Sequence, residues 1–201
     1  MEDRITQLPD VILSSILSNL TLKDVIKTGV LSKTWKNQHR RLIRDLNFDM
    51  PNLFKNKYDK DKFSLQDNEF FLGVRNEFAN RVSEVLRYFK GSRVRCFIVC
   101  FYMNSEESQR MDHWISSAIA SGVEEIQLLF SRKRFLLFMR DEDRLYEFPF
   151  SLFTQSCLKH LHLEDCIFRP PSDFSGFTKL VTLRLEEVTL GQDFIASLFK
   201  S

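Results

Sequence analysis

An apolar stripe at helical spacing lies near the N-terminus, within residues 8–20, LPDVILSSILSNL. At 100° per residue, six aliphatic side chains lie on one broad face, whereas Asp10, Ser14 and Ser18 lie opposite. Pro9 stands in the first turn, where its missing N–H group is not needed. The pattern predicts a helix over this segment. The six residues of the stripe are Leu8, Ile12, Leu13, Ile16, Leu17 and Leu20.

Two more short helices are predicted directly after the first. Thr21 and Asp24 have the spacing of a capping box and predict a helix over residues 23–28, which Gly29 ends. Ser32 is then placed to cap a third helix, which carries Trp35. A unit of about 40 residues rarely buries its apolar faces without a disulfide, a metal or a partner. We therefore expect a partner, to which each fully buried large aliphatic side chain would contribute about 1.5–3 kcal/mol.

Two different sequence patterns follow in the middle of the chain. Residues 48–66 are rich in Lys, Asp and Asn without periodicity and predict a linker or loop between residues 1–47 and residues 67–201. Beyond it, apolar residues recur every three to four positions up to Phe89, which predicts a long amphipathic helix that ends at Gly91.

Four later segments share the spacing apolar-x-x-apolar-x-apolar, which is typical of leucine-rich repeats. In such repeats each unit is one parallel strand and a returning helix or loop, packed on its neighbours. A return helix capped by Ser105 is predicted over residues 105–122, a β-hairpin over residues 133–148, and a modest polar cap over residues 193–201. The predicted strands lie near residues 94–101, 123–130, 158–164 and 180–186.

Composition and charge restrict the function classes. A hydrophobic content of 43% supports a core, and a net charge of +2 favours neither nucleic acid nor an anionic membrane. The first apolar run is too short and too interrupted to span a bilayer, and no basic segment precedes it. We therefore expect the nucleus or cytoplasm, with reduced cysteines; a disulfide or structural metal is the less favoured alternative. The cysteines are Cys96, Cys100, Cys157 and Cys166.

Candidate chemistry is sparse. His160 and His162 share one strand face near Glu164 and could ligate a metal, but no further ligand is indicated and strand alternation alone produces such pairs. The basic cluster at residues 39–44 could contact phosphate, although a solvated helix end is the favoured interpretation. Nucleic-acid motifs, nucleophile elbows, phosphate loops and HExxH are absent, so we predict no catalytic residue, no cofactor and no nucleic-acid partner.

Residues 8–38, LPDVILSSILSNLTLKDVIKTGVLSKTWKNQ, resemble the F-box. One departure is Thr21, where many plant members have proline. Together with LNFDM at residues 46–50, GVEEIQLLF at 122–130, FPFSLF at 148–153 and HLEDC at 162–166, the chain resembles the plant F-box and leucine-rich-repeat family. Members usually continue through more repeats and an FBD-type domain, so we expect a shortened form.

The resemblance implies an α/β fold, in which a small all-α three-helix F-box precedes a short irregular leucine-rich solenoid. It implies a non-catalytic substrate receptor of a Skp–cullin–F-box ubiquitin ligase; the alternative is an adaptor-binding relative or repeat scaffold without a substrate. Residues expected to bind the Skp adaptor, and through it cullin and RING subunits, are Leu8, Pro9, Ile12, Leu13, Ile16, Leu17, Leu20, Val30, Leu31 and Trp35. Residues expected to bind the protein target are Glu125, Gln127, Leu129, His160, His162, Glu164, Thr182, Arg184 and Glu186.

Overall fold

The computed structural model describes residues 5, 7–55, 57–58, 68–130, 144–154 and 156–191. Six α-helices are described: α1 Asp10–Ser18, α2 Leu22–Thr28, α3 Lys33–Leu42, α4 Met50–Phe54, α5 Asn68–Tyr88 and α6 Ser108–Ala120. Short 3-10 helices lie at Ser105–Glu107 and Phe150–Phe153. The strands are β1 Asp45–Asp49, β2 Cys96–Cys100, β3 Glu125–Leu129, β4 His160–Glu164, β5 Ile167–Phe168, β6 Thr182–Glu186 and β7 Thr189–Leu190.

A parallel five-stranded sheet in the order β1-β2-β3-β4-β6 organises the molecule, and β5 and β7 form a second, two-stranded parallel pair. Each new strand of the larger sheet is added beside the previous one in chain order. Because side chains alternate along a strand, two apolar positions per strand point to one face and form two rows across the sheet. The first row is Leu46, Phe97, Ile126, Leu161 and Leu183, and the second is Phe48, Val99, Leu128, Leu163 and Leu185.

One hydrophobic core contains these rows, the inner faces of α5 and α6, and the buried residues of the three N-terminal helices. Trp114 of α6 is buried there, and its Nε1–H donates a hydrogen bond to Ser83 Oγ of α5 over 3.0 Å. The predicted α/β class is therefore confirmed, with helices on one side of a parallel sheet.

The predicted helix caps form as the sequence indicates. Thr21 Oγ1 accepts the backbone N–H of Asp24 over 3.2 Å, and Ser32 Oγ accepts that of Trp35 over 3.0 Å. These bonds satisfy N–H groups that the first turn of a helix leaves without an intrahelical partner. Helix α5 ends at Tyr88, and Gly91 follows with φ of 80°, a value that glycine adopts without strain.

Part of the predicted linker is wrong. Residues 48–54 end strand β1 and form helix α4, in which Leu53 and Phe54 are buried. The Asp49 carboxylate caps this helix by accepting the Asn52 N–H over 2.7 Å, and Pro51 lies in the first turn. Lysines and asparagines surround this short element, so its few apolar residues form no recognisable periodic pattern in the sequence.

Three other predictions have different outcomes. Asn104, not Ser105, caps the return segment, because its Oδ1 accepts the Glu106 N–H over 3.0 Å before a 3-10 turn leads into α6. The predicted hairpin lies largely outside the described residues, although Glu147 in its last part bridges Ile167 in parallel. The predicted cap over residues 193–201 lies wholly outside them.

His39 connects the three N-terminal helices to the rest of the core. Its side chain is fully buried in α3, where Nε2 is hydrogen-bonded to the Tyr88 hydroxyl of α5 and the ring contacts Trp35. Gly29 leaves room for this contact, because a Cβ atom there would clash with the Tyr88 hydroxyl oxygen. Burial lowers the pKa of His39 to about 4, and the positive charges of Arg40 and Lys36 add to this effect.

The buried His39 makes stability depend on pH. An imidazole with a lowered pKa in the folded state stabilises the fold above its unfolded pKa of 6.5 and loses that contribution as the pH falls towards 4. We expect the free energy of unfolding, measured with urea, to fall about 2–3 kcal/mol further between pH 7 and pH 4 in the wild type than in His39→Gln. Identical pH profiles for the two proteins would contradict a neutral, buried His39.

Candidate protein-binding surfaces

Helix α1 carries two parallel rows of aliphatic side chains that face different surroundings. Leu13 and Leu17 are buried in the core, with 0% and 3% of their surface exposed. Ile12 and Ile16 each precede one of these leucines, so they are rotated by about 100° around the helix and remain 48% and 43% exposed. The helix therefore packs through one apolar row and presents a second one.

Exposed apolar residues are concentrated in this part of the molecule. Among the described residues, most of the large hydrophobic side chains that are exposed belong to α1, the turn before it and the α2–α3 loop, so they form a local feature and are not scattered singly over the surface. We call this set the apolar face. Its members are Ile5, Leu8, Val11, Ile12, Ile16, Val30 and Leu31.

The ten residues predicted to bind an adaptor divide into three groups by exposure. Leu20 is half-buried, and six residues are exposed: Leu8, Pro9, Ile12, Ile16, Val30 and Leu31. Leu13, Leu17 and Trp35 are buried and do not reach the surface, so direct contact by these three is not supported. They pack in the core beneath the exposed residues. The Trp35 side chain is fixed by a hydrogen bond of 2.9 Å, which its Nε1–H donates to Thr28 Oγ1.

Sequence reasoning missed two members of the apolar face. Val11 is 78% exposed and Ile5 is 42% exposed. The signal was present for Val11, which stands three residues after Leu8, the spacing of neighbours on a helix face. It was missed because, at 100° per residue, Val11 falls about 60° outside the predicted stripe, between Ser15 and Ser18.

The second surface is the face of the large sheet opposite the apolar rows. Its outward positions on β3, β4 and β6 align in register as three cross-strand sets. The nine predicted target-binding residues are therefore neighbours on one face, which β1 and β2 extend. The sets are Glu125, His160 and Thr182; Gln127, His162 and Arg184; and Leu129, Glu164 and Glu186.

Accessibility is uneven across this sheet face. His160, Thr182 and Arg184 are exposed, whereas Leu129 and Glu164 are buried, with 9% and 7% of their surface exposed. The two buried residues stand near the C-terminal ends of their strands, where the chain turns. Direct target contact through Leu129 or Glu164 is therefore not supported by the structure.

Charged groups on the sheet face are already paired with one another. Glu186 accepts a hydrogen bond from Arg184, and its Oε1 lies 3.5 Å from His162 Nε2. Partial burial lowers the pKa of His162, and Arg184 adds to this effect. Arg95 similarly contacts Asp45 over 2.6 Å at the β1 end. The face is polar, with both signs of charge.

The described residues contain no group of three or more His, Cys, Asp or Glu side chains arranged to hold a metal ion, and this includes His160 and His162. None of the four cysteines is in a disulfide within the described part. Burial raises the pKa of the Cys96 and Cys166 thiols to about 12, which disfavours reactive thiolates there. Among the helices described, none combines the length and the apolar character that crossing a bilayer requires.

Comparison with known proteins identifies two domains. The F-box domain profile matches residues 5–38, and the profile of the At1g61320/AtMIF1 LRR domain matches residues 85–201. No solved structure matches the chain.

Curated relatives come from Arabidopsis thaliana. F-box/FBD/LRR-repeat protein At5g18770 is 33% identical over 191 residues, which are 88% of this chain and 36% of the relative. F-box/FBD/LRR-repeat protein At1g13570 is 27% identical over 98% of this chain and 41% of the relative. F-box/LRR-repeat protein At3g26922 is 27% identical over 96% of this chain and 54% of the relative.

The chain thus spans between about a third and a half of the length of these relatives. The repeat profile covers more than half of the chain, and the F-box profile covers the helices that carry the apolar face. The chain therefore belongs to the plant F-box and leucine-rich-repeat family, as its motifs predicted.

Proposed function

We propose that this chain is a non-catalytic substrate receptor of a Skp–cullin–F-box ubiquitin ligase, acting in the nucleus or cytoplasm. The apolar face binds the Skp adaptor, and the polar sheet face binds a protein target. The observation that carries the proposal is the exposed second row of α1, with Ile12 and Ile16 uncovered above a fully packed first row. The F-box profile over the same residues supports a Skp-type partner.

Physical chemistry favours a partner for this face. The chain itself covers the inner side of the three helices, since α2 packs on α4 and α5. This internal packing stabilises the three helices, but their outer side stays uncovered. Burying an aliphatic side chain completely contributes about 1.5–3 kcal/mol, and these side chains are already partly covered, so each contributes less. The summed contribution of several such side chains still exceeds the free-energy cost of ordering them on binding, because the helix is already formed.

The repeat region supports the second half of the proposal. Its parallel strands are added in chain order, as expected for the proposed short leucine-rich solenoid, and the repeat profile covers all of them except β1. The outward positions carry imidazole, hydroxyl, guanidinium and carboxylate groups on two neighbouring strands. A polar face with paired charges discriminates among partners through electrostatic complementarity. Catalysis would be by proximity alone.

Charge on the apolar face should abolish adaptor binding without unfolding the chain. In Ile12→Asp/Ile16→Asp, each carboxylate would have to lose its hydration in an apolar interface, which costs several kcal/mol. We expect a loss of adaptor affinity of at least about 100-fold in calorimetry with the purified adaptor. Both side chains are about half exposed, so the thermal midpoint should change little.

Ser14→Asp is the matched control on the same helix. Ser14 is exposed and lies about 160° around α1 from both Ile12 and Ile16, so this variant adds a charge on the side of the helix opposite the two substituted residues. It should bind the adaptor as the wild type does. Equal loss in both proteins, or wild-type affinity in the Ile12→Asp/Ile16→Asp variant, would contradict adaptor binding through the apolar face.

The sheet face should be tested separately through its most accessible residues. In His160→Ala/Arg184→Glu, two exposed residues on the neighbouring strands β4 and β6 change while the apolar face is untouched. We expect adaptor binding to be retained and the ubiquitinated proteins trapped with the wild type, identified by mass spectrometry, to be lost. The matched control is His113→Ala/Arg110→Glu, which makes the same exchanges at exposed positions of α6 and should keep those targets.

The outcome also separates the two functional candidates. A receptor brings down the adaptor and ubiquitinated targets, and the sheet variant removes the targets alone. A repeat scaffold without a substrate brings down only the adaptor, and the sheet variant then changes nothing. The second pattern would contradict the receptor proposal while leaving adaptor binding intact.

A further inference from the structure

One edge of the large sheet has no neighbour within the described part of the chain. The sheet has the order β1-β2-β3-β4-β6, so β6 pairs with β4 on one side and with no described strand on the other. An unpaired edge presents N–H and C=O groups to which another extended segment can add as a further strand. We call this feature the β6 edge, and it comprises Thr182–Glu186.

The hydrogen bonds of β6 show which of its backbone groups face outward. Thr182 N–H donates over 3.0 Å to a carbonyl at the start of β4, and the Glu186 carbonyl accepts, over 3.0 Å, an N–H just after β4. In a parallel strand the N–H and C=O of one residue point to the same side, and successive residues alternate. The N–H and C=O groups of Leu183 and Leu185 therefore point away from β4, along the β6 edge.

The apolar rows of the sheet are partly uncovered at the β6 edge. On the neighbouring strand β4, Leu161 and Leu163 are 1% and 0% exposed, whereas their partners Leu183 and Leu185 are only half-buried. Directly before β6, Val181 is 75% exposed. A further strand with aliphatic residues opposite Leu183 and Leu185 would continue both rows and remove this apolar surface from water.

Strand β6 lacks the features that protect an edge from pairing. Natural edge strands are often blunted by proline, by lysine or by a charge that points inward. The sequence of β6 is TLRLE, which contains neither proline nor lysine and has leucine at both inward positions. Glu187 follows with φ of 53°, which ends the extended backbone. The β6 edge therefore suits a short added strand of about five residues.

Two charged side chains define what an added strand must carry. Arg184 and Glu186 lie on the outward side of β6, with 65% and 34% of their side-chain surface exposed. Residues directly opposite each other on adjacent strands interact, so opposite charges stabilise the pairing and like charges destabilise it. The complementary strand has an acidic residue opposite Arg184, a basic residue opposite Glu186 and an aliphatic residue between them.

A second copy of this chain is the competing occupant of the β6 edge. Antiparallel pairing of two such edges places Leu183 of each copy opposite Leu185 of the other when it is centred on Arg184. The two Arg184 side chains then lie directly opposite each other, which is unfavourable. Pairing centred on Leu185 instead brings Glu187, with its φ of 53°, opposite Leu183. The β6 edge is therefore poorly complementary to itself.

We propose that the β6 edge binds an extended segment of the protein target, which adds to the sheet as a further strand. In this segment an acidic and a basic residue stand two positions apart and alternate with aliphatic residues. The inference rests on the proposed receptor function and specifies the kind of target segment that is recognised. Main-chain hydrogen bonds to Leu183 and Leu185 supply affinity, and the charges opposite Arg184 and Glu186 supply specificity.

The test uses the full chain and a fluorescein-labelled probe peptide, VKVDVKV, with both ends blocked. Its acid can lie opposite Arg184 and a lysine opposite Glu186 whichever way the peptide runs along β6. We expect saturable binding in fluorescence anisotropy. The exchanged peptide VDVKVDV should bind about fivefold more weakly or worse, because its charges repel those of β6.

Arg184→Glu/Glu186→Arg is the matched protein variant. It keeps the net charge and leaves an acid and a base at the same two positions, where they can still pair, so it should fold as the wild type does. It should reverse the preference and bind VDVKVDV at least about fivefold more tightly than VKVDVKV. An unchanged preference, or no binding of VKVDVKV by the wild type up to about 1 mM, would overturn the proposal.

Leu183→Pro tests the backbone contacts of the added strand. Proline removes the outward N–H group at this position, and Leu183→Ala is the control that loses the same side chain but keeps that group. We expect Leu183→Pro to bind VKVDVKV about fivefold more weakly than Leu183→Ala does. Equal affinities would contradict strand addition. If Leu183→Pro fails to fold, the charge-exchange variant decides the outcome.

Two further measurements separate the alternatives. The full chain should sediment as a monomer, and a dimer that Arg184→Glu/Glu186→Arg or Leu183→Pro abolishes would identify a second copy as the occupant and overturn the proposal. Adaptor affinity should be the same in the charge-exchange variant and the wild type, because the apolar face is intact. Failure of peptide binding with normal adaptor binding therefore contradicts strand addition alone.

Discussion

The short connection between α3 and β1 is the constraint on which the arrangement of the two surfaces depends. Only Ile43 and Arg44 separate the end of the third helix from the first strand. That strand is hydrogen-bonded to β2 in parallel register, and the Arg44 carbonyl accepts two N–H groups from the start of β2. The buried His39–Tyr88 contact adds a second attachment. The apolar face and the sheet face are thus held at a fixed relative orientation.

Phenylalanine side chains keep the irregular repeat region packed around one core. Between β2 and β3 the helix α6 covers the apolar rows, but the described segment between β4 and β6 contains no helix. Aromatic rings of this segment pack there against a ring that precedes β4: Phe174 lies 4.9 Å and Phe168 lies 4.8 Å from Phe150, between ring centroids. Large rings bury much area per residue, so a loop can cover a strand where the sequence supplies no amphipathic helix.

Local patterns in the sequence predicted most of the elements, and long-range packing determined what they missed. Periodicity and caps located α1, α2, α3 and the long helix α5, because these signals act within a few residues. The outward row of α1 was not separable from the inward one, since that depends on where α3 packs. Helix α4 and the contact between His39 and Tyr88, which are 49 residues apart, likewise have no local signal. The burial of Leu129 and Glu164 depends on neighbouring strands and turns.

The chemistry of the two surfaces suits the proposed receptor, which would work by positioning. An apolar face without charge binds one partner through area and shape, so its affinity depends little on ionic strength. A polar face with internally paired charges must exchange those pairs for pairs with the partner, so only a complementary partner binds. In a proximity mechanism the rate depends on the effective concentration of the target at the reacting centre. A rigid connection between the two surfaces narrows the range of positions that the target samples there.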